Sequence, residues 1–222
     1  MSVKVLGIDA SLNKTGLVEL TDGVMTNYWF MTNDKSLYKK IGKEHALFYG
    51  VDDKDVDRQK SAILRLVAIE RLFKNFLENH TYDFIGMEDY ALGMSRGAHQ
   101  LGEVGGVFRI LLYMNGVPFR LHDPNTIKMF TTDNGNADKI KMKAAIKKNY
   151  GIVFNFDKLT DKQNDAVSED LADAFAIAQL TWTEYRLRRG ELALSSLSEQ
   201  QIKAFNRVTK YHPVNLLGRD WL

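Results

Sequence analysis

Four acidic residues, widely separated in a chain of 222, stand where a charge is costly to the fold and useful to chemistry. Asp9 ends the apolar run that begins at Val3, and Glu88 ends the equally apolar Phe84-Ile85-Gly86-Met87-Glu88. An acid at the last position of a buried strand emerges where chain leaving a sheet borders a cleft. Taken alone, Asp9 could as well cap a turn. Asp170 and Asp173 lie three apart in Glu169-Asp170-Leu171-Ala172-Asp173-Ala174-Phe175-Ala176-Ile177-Ala178, hence on one face of a helix. Glu169 and Asp170 also fit a first turn, where acids complement the helix dipole. Asp173 has no such role. It sits among Ala and Phe, where an unpartnered carboxylate is expensive or takes up a proton.

Gathered at one point, these acids would repel one another and raise one another's pKa until positive charge arrived. Hard divalent ions are the natural neutralisers. Magnesium, for which manganese can substitute, prefers a few carboxylates together with water and phosphate oxygens. Two such ions about 3.5–4 Å apart can activate a water on one side of a phosphodiester and stabilise the leaving oxygen on the other. The set therefore predicts two-metal phosphodiester hydrolysis.

The elements that must position these acids are readable in outline. Val3 to Asp9, Thr15 to Leu20 and Val24 to Met31 read as strands, with Asp22-Gly23 as a hairpin turn. Residues 33 to 57 read as a polar, irregular insertion. Its Asp52-Asp53-Lys54-Asp55-Val56-Asp57 lacks the turn Gly and terminal Glu of a calcium loop, and reads as a solvated loop instead. Helical spacing of apolar residues follows from Arg58 to Asn79, a buried strand from Tyr82 to Glu88, a helix from Gln100 to Asn115 and a short strand from Val117 to His122. Asp123-Pro124 is an N-cap with Pro at the first helical position. Helices over Asp138 to Asn149 and about Asn164 to Arg189 complete the pattern, with a shorter one near Ser198 to Val208. Three antiparallel strands followed by alternating helices and strands imply an α/β fold, a mixed sheet with helices on its faces.

Composition sets the outer bounds. With 45% hydrophobic and 26% charged residues the chain is an ordinary globular one, sized for a single core with appendages. No apolar run approaches a membrane span and the N-terminus does not resemble a secretory signal, so a cytoplasmic protein with no membrane partner is expected. The absence of Cys removes disulfides, thiolate zinc sites and Cys nucleophiles, and leaves oxygen or imidazole to hold any metal. The five histidines lack the paired spacing of a zinc site; surface or turn roles are expected of them. A net charge of +2 neither demands nor excludes nucleic acid, but between residues 120 and 150 seven basic residues, Arg120 among them, face three acidic ones. Between 186 and 210 six face two. Both stretches could follow a DNA backbone or be solvated helix faces.

The order of motifs resembles the RuvC family of Holliday junction resolvases, within the ribonuclease-H-like nucleases, over about residues 3 to 180. The residues that carry the likeness are Gly7-Ile8-Asp9 with Thr15-Gly16, Met87-Glu88, Leu101-Gly102-Glu103-Val104-Gly105-Gly106, and Asp170 to Ala178. The resemblance implies a five-stranded ribonuclease-H-like mixed sheet flanked by helices (1–182, with the insertion at about 33–57) and a C-terminal helical extension (183–222). It implies that Asp9, Glu88, Asp170 and Asp173 bind the metal ions of a homodimer that makes paired nicks across a four-way DNA junction. A two-fold dimer would match a branched substrate with its own approximate two-fold symmetry. By the same resemblance, Lys128 and Lys139 correspond to catalytic basic residues beside the scissile phosphate. Tyr90 is the nearest candidate for an aromatic wedge, with Arg96 in the loop beyond it; Lys141 and Lys143 extend the DNA-binding set. Gly102, Gly105 and Gly106 on a helix point to close backbone approach, to the sheet or to a second subunit. The insertion and the basic tail look more like a phage or viral branch than the compact bacterial enzyme, and an altered DNA face could accept forks, flaps or RNA-containing duplexes.

Two rivals come from other classes. Gly93-Met94-Ser95-Arg96-Gly97 matches a serine hydrolase elbow with His212 downstream, but no strand runs directly into the Ser. A non-catalytic branched-DNA-binding protein keeps the fold and discards the chemistry. It predicts junction binding without nicking at any metal concentration.

Overall fold

The computed structural model describes residues 2–51, 55–89, 98–208 and 213–222. Its sheet is built from β1 (Lys4–Asp9), β2 (Lys14–Thr21), β3 (Val24–Thr32), β4 (Ala46–Phe48), β5 (Phe84–Glu88) and β6 (Phe119–His122). Their order is β4-β3-β2-β1-β5-β6. The first three strands form an antiparallel meander, and β4, β5 and β6 each run parallel to an inner neighbour. Asp22 and Gly23 join β2 to β3, both with positive φ (51° and 82°), the conformation a two-residue hairpin requires.

The sheet has six strands where five were expected. The extra one comes from the insertion, which also forms α1 (Lys35–Ile41). Asp34 nucleates that helix by accepting from the Ser36 and Leu37 amides, and Leu37 anchors it in the core. Ala46-Leu47-Phe48 is too short to show a strand period, so only its pairing with β3 defines it.

The remaining helices are α2 (Arg58–Asn79), α3 (Ala98–Met114), α4 (Pro124–Thr132), α5 (Lys139–Tyr150), α6 (Asp161–Arg188) and α7 (Glu199–Asn206). A small ribbon, β7 (Arg207–Val208) with β8 (Pro213–Asn215), follows α7. Strand alternation sorts the core in two. Leu6, Ile8, Leu17, Ile85 and Met87 pack against Phe73, Phe76 and Phe108 of α2 and α3. On the other face Val18 and Leu20 meet α6, α5 and α4, together with Ala204, Phe205 and Leu216 of the tail. Helix α6 runs unbroken across residue 182, and the tail shares its core. Among the described residues no helix is long and apolar enough to cross a membrane.

Three glycines let α6 lie directly on the sheet. A Cβ at Gly7 would strike the Ala174 carbonyl, one at Gly16 the Asp170 carbonyl, and one at Gly86 the Thr181 hydroxyl. Gly102 and Gly106 differ. A Cβ there meets nothing within 4 Å among the described residues, so their expected approach is not to the sheet of their own chain.

Candidate active site

The side-chain alternation that points Gly7 and Gly86 at α6 also points Asp9 and Glu88 there, each two positions further along its strand. Strands β1 and β5 are parallel and in register through Ile8 and Met87, so the two acids leave the sheet side by side. Asp9 also pairs in register with Gly16, over which the Asp170 backbone lies. Asp173 is one turn further along α6. The parity of three strands and the seating of one helix thus bring all four sequence-predicted acids to one end of the sheet.

Their electrostatics record the crowding. Burial, followed by the charges of Asp173, Glu88 and Asp170, holds the Asp9 carboxyl well above the usual carboxylate range. Glu88 has solvent on one side, but loss of water on the other and the Asp173 charge push it up to about 7. Asp170 and Asp173 are pushed up to about 6, again chiefly by burial. Among the described residues, no group of three or more acids and histidines forms a ready-made metal cage. The donor set nonetheless suits a hard divalent cation: carboxylates that disfavour one another's charge are stabilised together by positive charge.

Part of that charge is supplied from within. Lys139, at the start of α5, has its ammonium 3.2 Å from Glu169 and 3.9 Å from Asp170. Burial alone would lower its pKa, but Glu169, Asp170 and Asp173 outweigh this and raise it. Lys128 on α4 favours the charged forms of both Glu88 and Asp173. The two lysines singled out in the sequence therefore both face the acids.

Lys143 is turned inward, 2.7 Å from Asp165 and 3.9 Å from Glu169, whereas Lys141 pairs at 3.7 Å with Asp138, the cap of its own helix. Tyr90 and Arg96 lie outside the described residues, as do Ser95 with the rest of the elbow motif and His212.

Sequence reasoning gives Glu169 a dipole role and leaves open whether it assists metal binding; in the structure it holds both Lys139 and Lys143. Lys14, at the start of β2, also favours the charged Asp170, and no sequence signal distinguished it.

Two expectations are corrected. Arg120, placed in the DNA-following stretch, is buried on β6 and bonded to Glu184. Its surroundings are an internal carboxylate and the tail carbonyls, not solvent. His122 is buried rather than at a surface or turn; its Nε2 pairs with the Thr181 hydroxyl at 2.8 Å, and burial lowers it to about 3, leaving the ring neutral. In the tail, Arg188 is held by Glu184 as well. This group lies about 16 Å along α6 from Asp173, at the rise of a regular helix.

No family model matches the chain. The RuvC crossover junction endodeoxyribonuclease of Mycobacterium ulcerans is 24% identical over 147 residues, which is 66% of this chain and 74% of the relative. That of Bifidobacterium adolescentis is 27% identical over 176 residues, 78% of this chain and 76% of the relative. Thermus thermophilus RuvC superposes with a TM-score of 0.54 at 17% identity, across 85% of this chain and 97% of the other. The same protein in complex with Holliday junction substrate gives 0.55. At that identity the structural likeness establishes the fold, the mixed sheet flanked by helices of the ribonuclease-H-like class.

Proposed function

We propose that this chain, RuvC-like in sequence and in fold, is a divalent-cation-dependent endodeoxyribonuclease that resolves four-way DNA junctions by paired nicking. The observation that carries the reading is the convergence of Asp9, Glu88, Asp170 and Asp173, each with its carboxyl pKa raised, at one end of the sheet. Asp9 and Glu88, on adjacent strands, and Asp170 and Asp173, on α6, would hold two magnesium ions between sheet and helix. When bound, the ions would supply an activated water and stabilise the leaving oxygen of the phosphodiester.

The chain's own residues have separate tasks. The acids hold the cations and, as carboxylates, repel DNA phosphate until those are present. Lys128 and Lys139 offset that repulsion and orient the scissile phosphate at the mouth of the cleft. Glu169 keeps the Lys139 ammonium beside Asp170.

Two cuts placed symmetrically call for two copies of the site. The face of α3 that carries Gly102, Gly106, Ile110 and Tyr113 supports this. These residues follow one another at helical spacing, Ile110 and Tyr113 are 61% and 77% exposed, and the two glycines leave room for a second backbone. A homodimer across this face would give the Gly residues the close approach their own sheet does not.

The test compares nicking of a four-way junction, a flap, a linear duplex and an RNA:DNA hybrid in magnesium, for the wild type and Asp9→Asn, with mass in solution measured alongside. Cutting confined to the junction by a dimer, and abolished in the variant, supports the reading. Equal cutting of flaps or hybrids would make it a less selective nuclease; junction cleavage that survives Asp9→Asn would remove the mechanism.

A further inference from the structure

We infer that α1, the helix built by the insertion, is a second phosphate-contacting surface that receives a duplex arm of the DNA substrate as it leaves the acid cluster. The inference rests on the nuclease reading above and adds to it a place where a double helix is held.

Charge and pairing come first. Lys35, Lys39 and Lys43 are exposed and, among the described residues, none has a hydrogen-bond or ion-pair partner, whereas Lys139, Lys141 and Lys143 of α5 are all engaged by Asp or Glu. The spacing of Lys35 and Lys39 puts them on one side of the helix, and Lys43 follows just beyond its Gly42 cap. The opposite side is fixed inward: Leu37 is in the core, Tyr38 meets Phe48, and Lys40 donates to Gln163 at 3.0 Å. Against Lys35, Lys39, Lys40 and Lys43 stand two acids, Asp34, whose carboxylate caps the helix through the Ser36 and Leu37 amides, and the exposed Glu44, so the segment keeps an excess of positive charge. Three ammonium groups held outward without partners on an anchored helix fit a polyanion better than a protein surface, which would have to present matching acids.

Position makes the polyanion DNA. Strand β3 ends at Thr32, paired with Lys14, whose charge is felt by Asp170; α1 starts three residues later. The Lys40 bond fixes α1 at Gln163, seven residues before Asp170 on α6, or about 10 Å at helical rise. Lys143 of α5 grips Asp165, two residues on and hence on the other side of α6. The acids therefore lie between basic helices, α5 on one flank and α1 on the other. That separation is well within one turn of duplex, roughly 34 Å.

The test uses the full-length protein without divalent metal, on four-way junctions with long arms and with arms too short to leave the acid cluster. The variant Lys35→Gln/Lys39→Gln/Lys43→Gln removes the charges from exposed positions, and its thermal midpoint reports whether the fold is kept. For long arms the slope of log affinity against log salt is expected to shallow by about 2 to 3, and affinity near physiological salt to fall on the order of tenfold to a hundredfold. Short-armed junctions should bind as before. A folded variant with an unchanged salt slope on long arms overturns the proposal, as does equal weakening on both substrates. The nuclease reading fails separately, if wild type never cuts a junction in magnesium or manganese. The salt slope on long-armed DNA still reads α1 in that case.

Discussion

Two charged assemblies sit along α6, one against its middle turns and one near its C-terminal end, and they solve the same electrostatic problem in opposite ways. At the far end Glu184, wholly buried, accepts two hydrogen bonds from Arg120, at 2.7 and 3.2 Å, and a third from Arg188 at 2.9 Å. Both guanidiniums donate onward to the carbonyls of Leu216 and Arg219, and Arg120 also stacks on Trp221. The one carboxylate is paired with two guanidiniums, whose remaining donors are directed at backbone carbonyls, so the group binds the last residues of the chain to β6. Against the middle of the helix four carboxylates crowd together with Lys139 and Lys128 as partial compensation. Acids left so poorly neutralised are a standing cost to the fold, which a functional site accepts and a structural one does not.

The sharpest way to break the comparison is to remove one acid. Asp9→Asn should lower nicking by at least about a thousandfold, several kcal/mol of lost transition-state stabilisation, while leaving junction binding and the thermal midpoint unchanged or slightly higher. A midpoint that falls with activity would make Asp9 structural. At the other end the reverse is expected. Glu184→Ala leaves Arg120 buried without its partner and should cost about 3–5 kcal/mol, on the order of 10 °C in a thermal melt. A melt within 2 °C of wild type, read against the roughly 2–4 °C expected per kcal/mol at this chain length, would deny the clamp its role.

pH separates the two regions further. The acids have folded-state pKa values above their ordinary ones, so their contribution to stability is fully present below about 4. It is lost as pH rises through 6 to 7, where Asp170, Asp173 and Glu88 ionise in the folded protein. The acids' contribution in metal-free protein should therefore fall by a few kcal/mol between pH 4 and pH 7.5, and magnesium should restore it by binding the ionised site. His122 works in the other direction: its folded pKa lies near 3, so its contribution is present above about 6.5 and fades on acidification. Thermal melts across pH with and without magnesium check this. A gap between the magnesium and metal-free curves that does not widen toward pH 7.5 would mean the acids do not couple to the ion.

The smallest effect is expected at the rim. Lys128→Ala should slow turnover by about tenfold and shallow the salt slope of junction binding by about one. An unchanged slope in binding titrations would take Lys128 off the DNA path.

What could be read early and what could not divides along the same helix. Asp9 and Glu88 were legible because a lone charge closing an apolar strand breaks its pattern, and Asp173 because it interrupts a stripe of small residues. Strand β4 was not, since three residues carry no period. The Arg120–Glu184 clamp was not either, because its partners are 64 residues apart and each alone looks like ordinary surface charge. Counting Arg120 in the basic stretch that could follow a DNA backbone is the natural error of reading charge without burial.

The sequence by itself determined the types of groups available, the alternation that aims each strand residue, and the glycines that admit α6 against the sheet. Which charges oppose which was decided only by tertiary structure. Local pattern fixes a side chain's direction, but whether that direction ends in water, a carboxylate or an arginine depends on chain returning from far along the sequence.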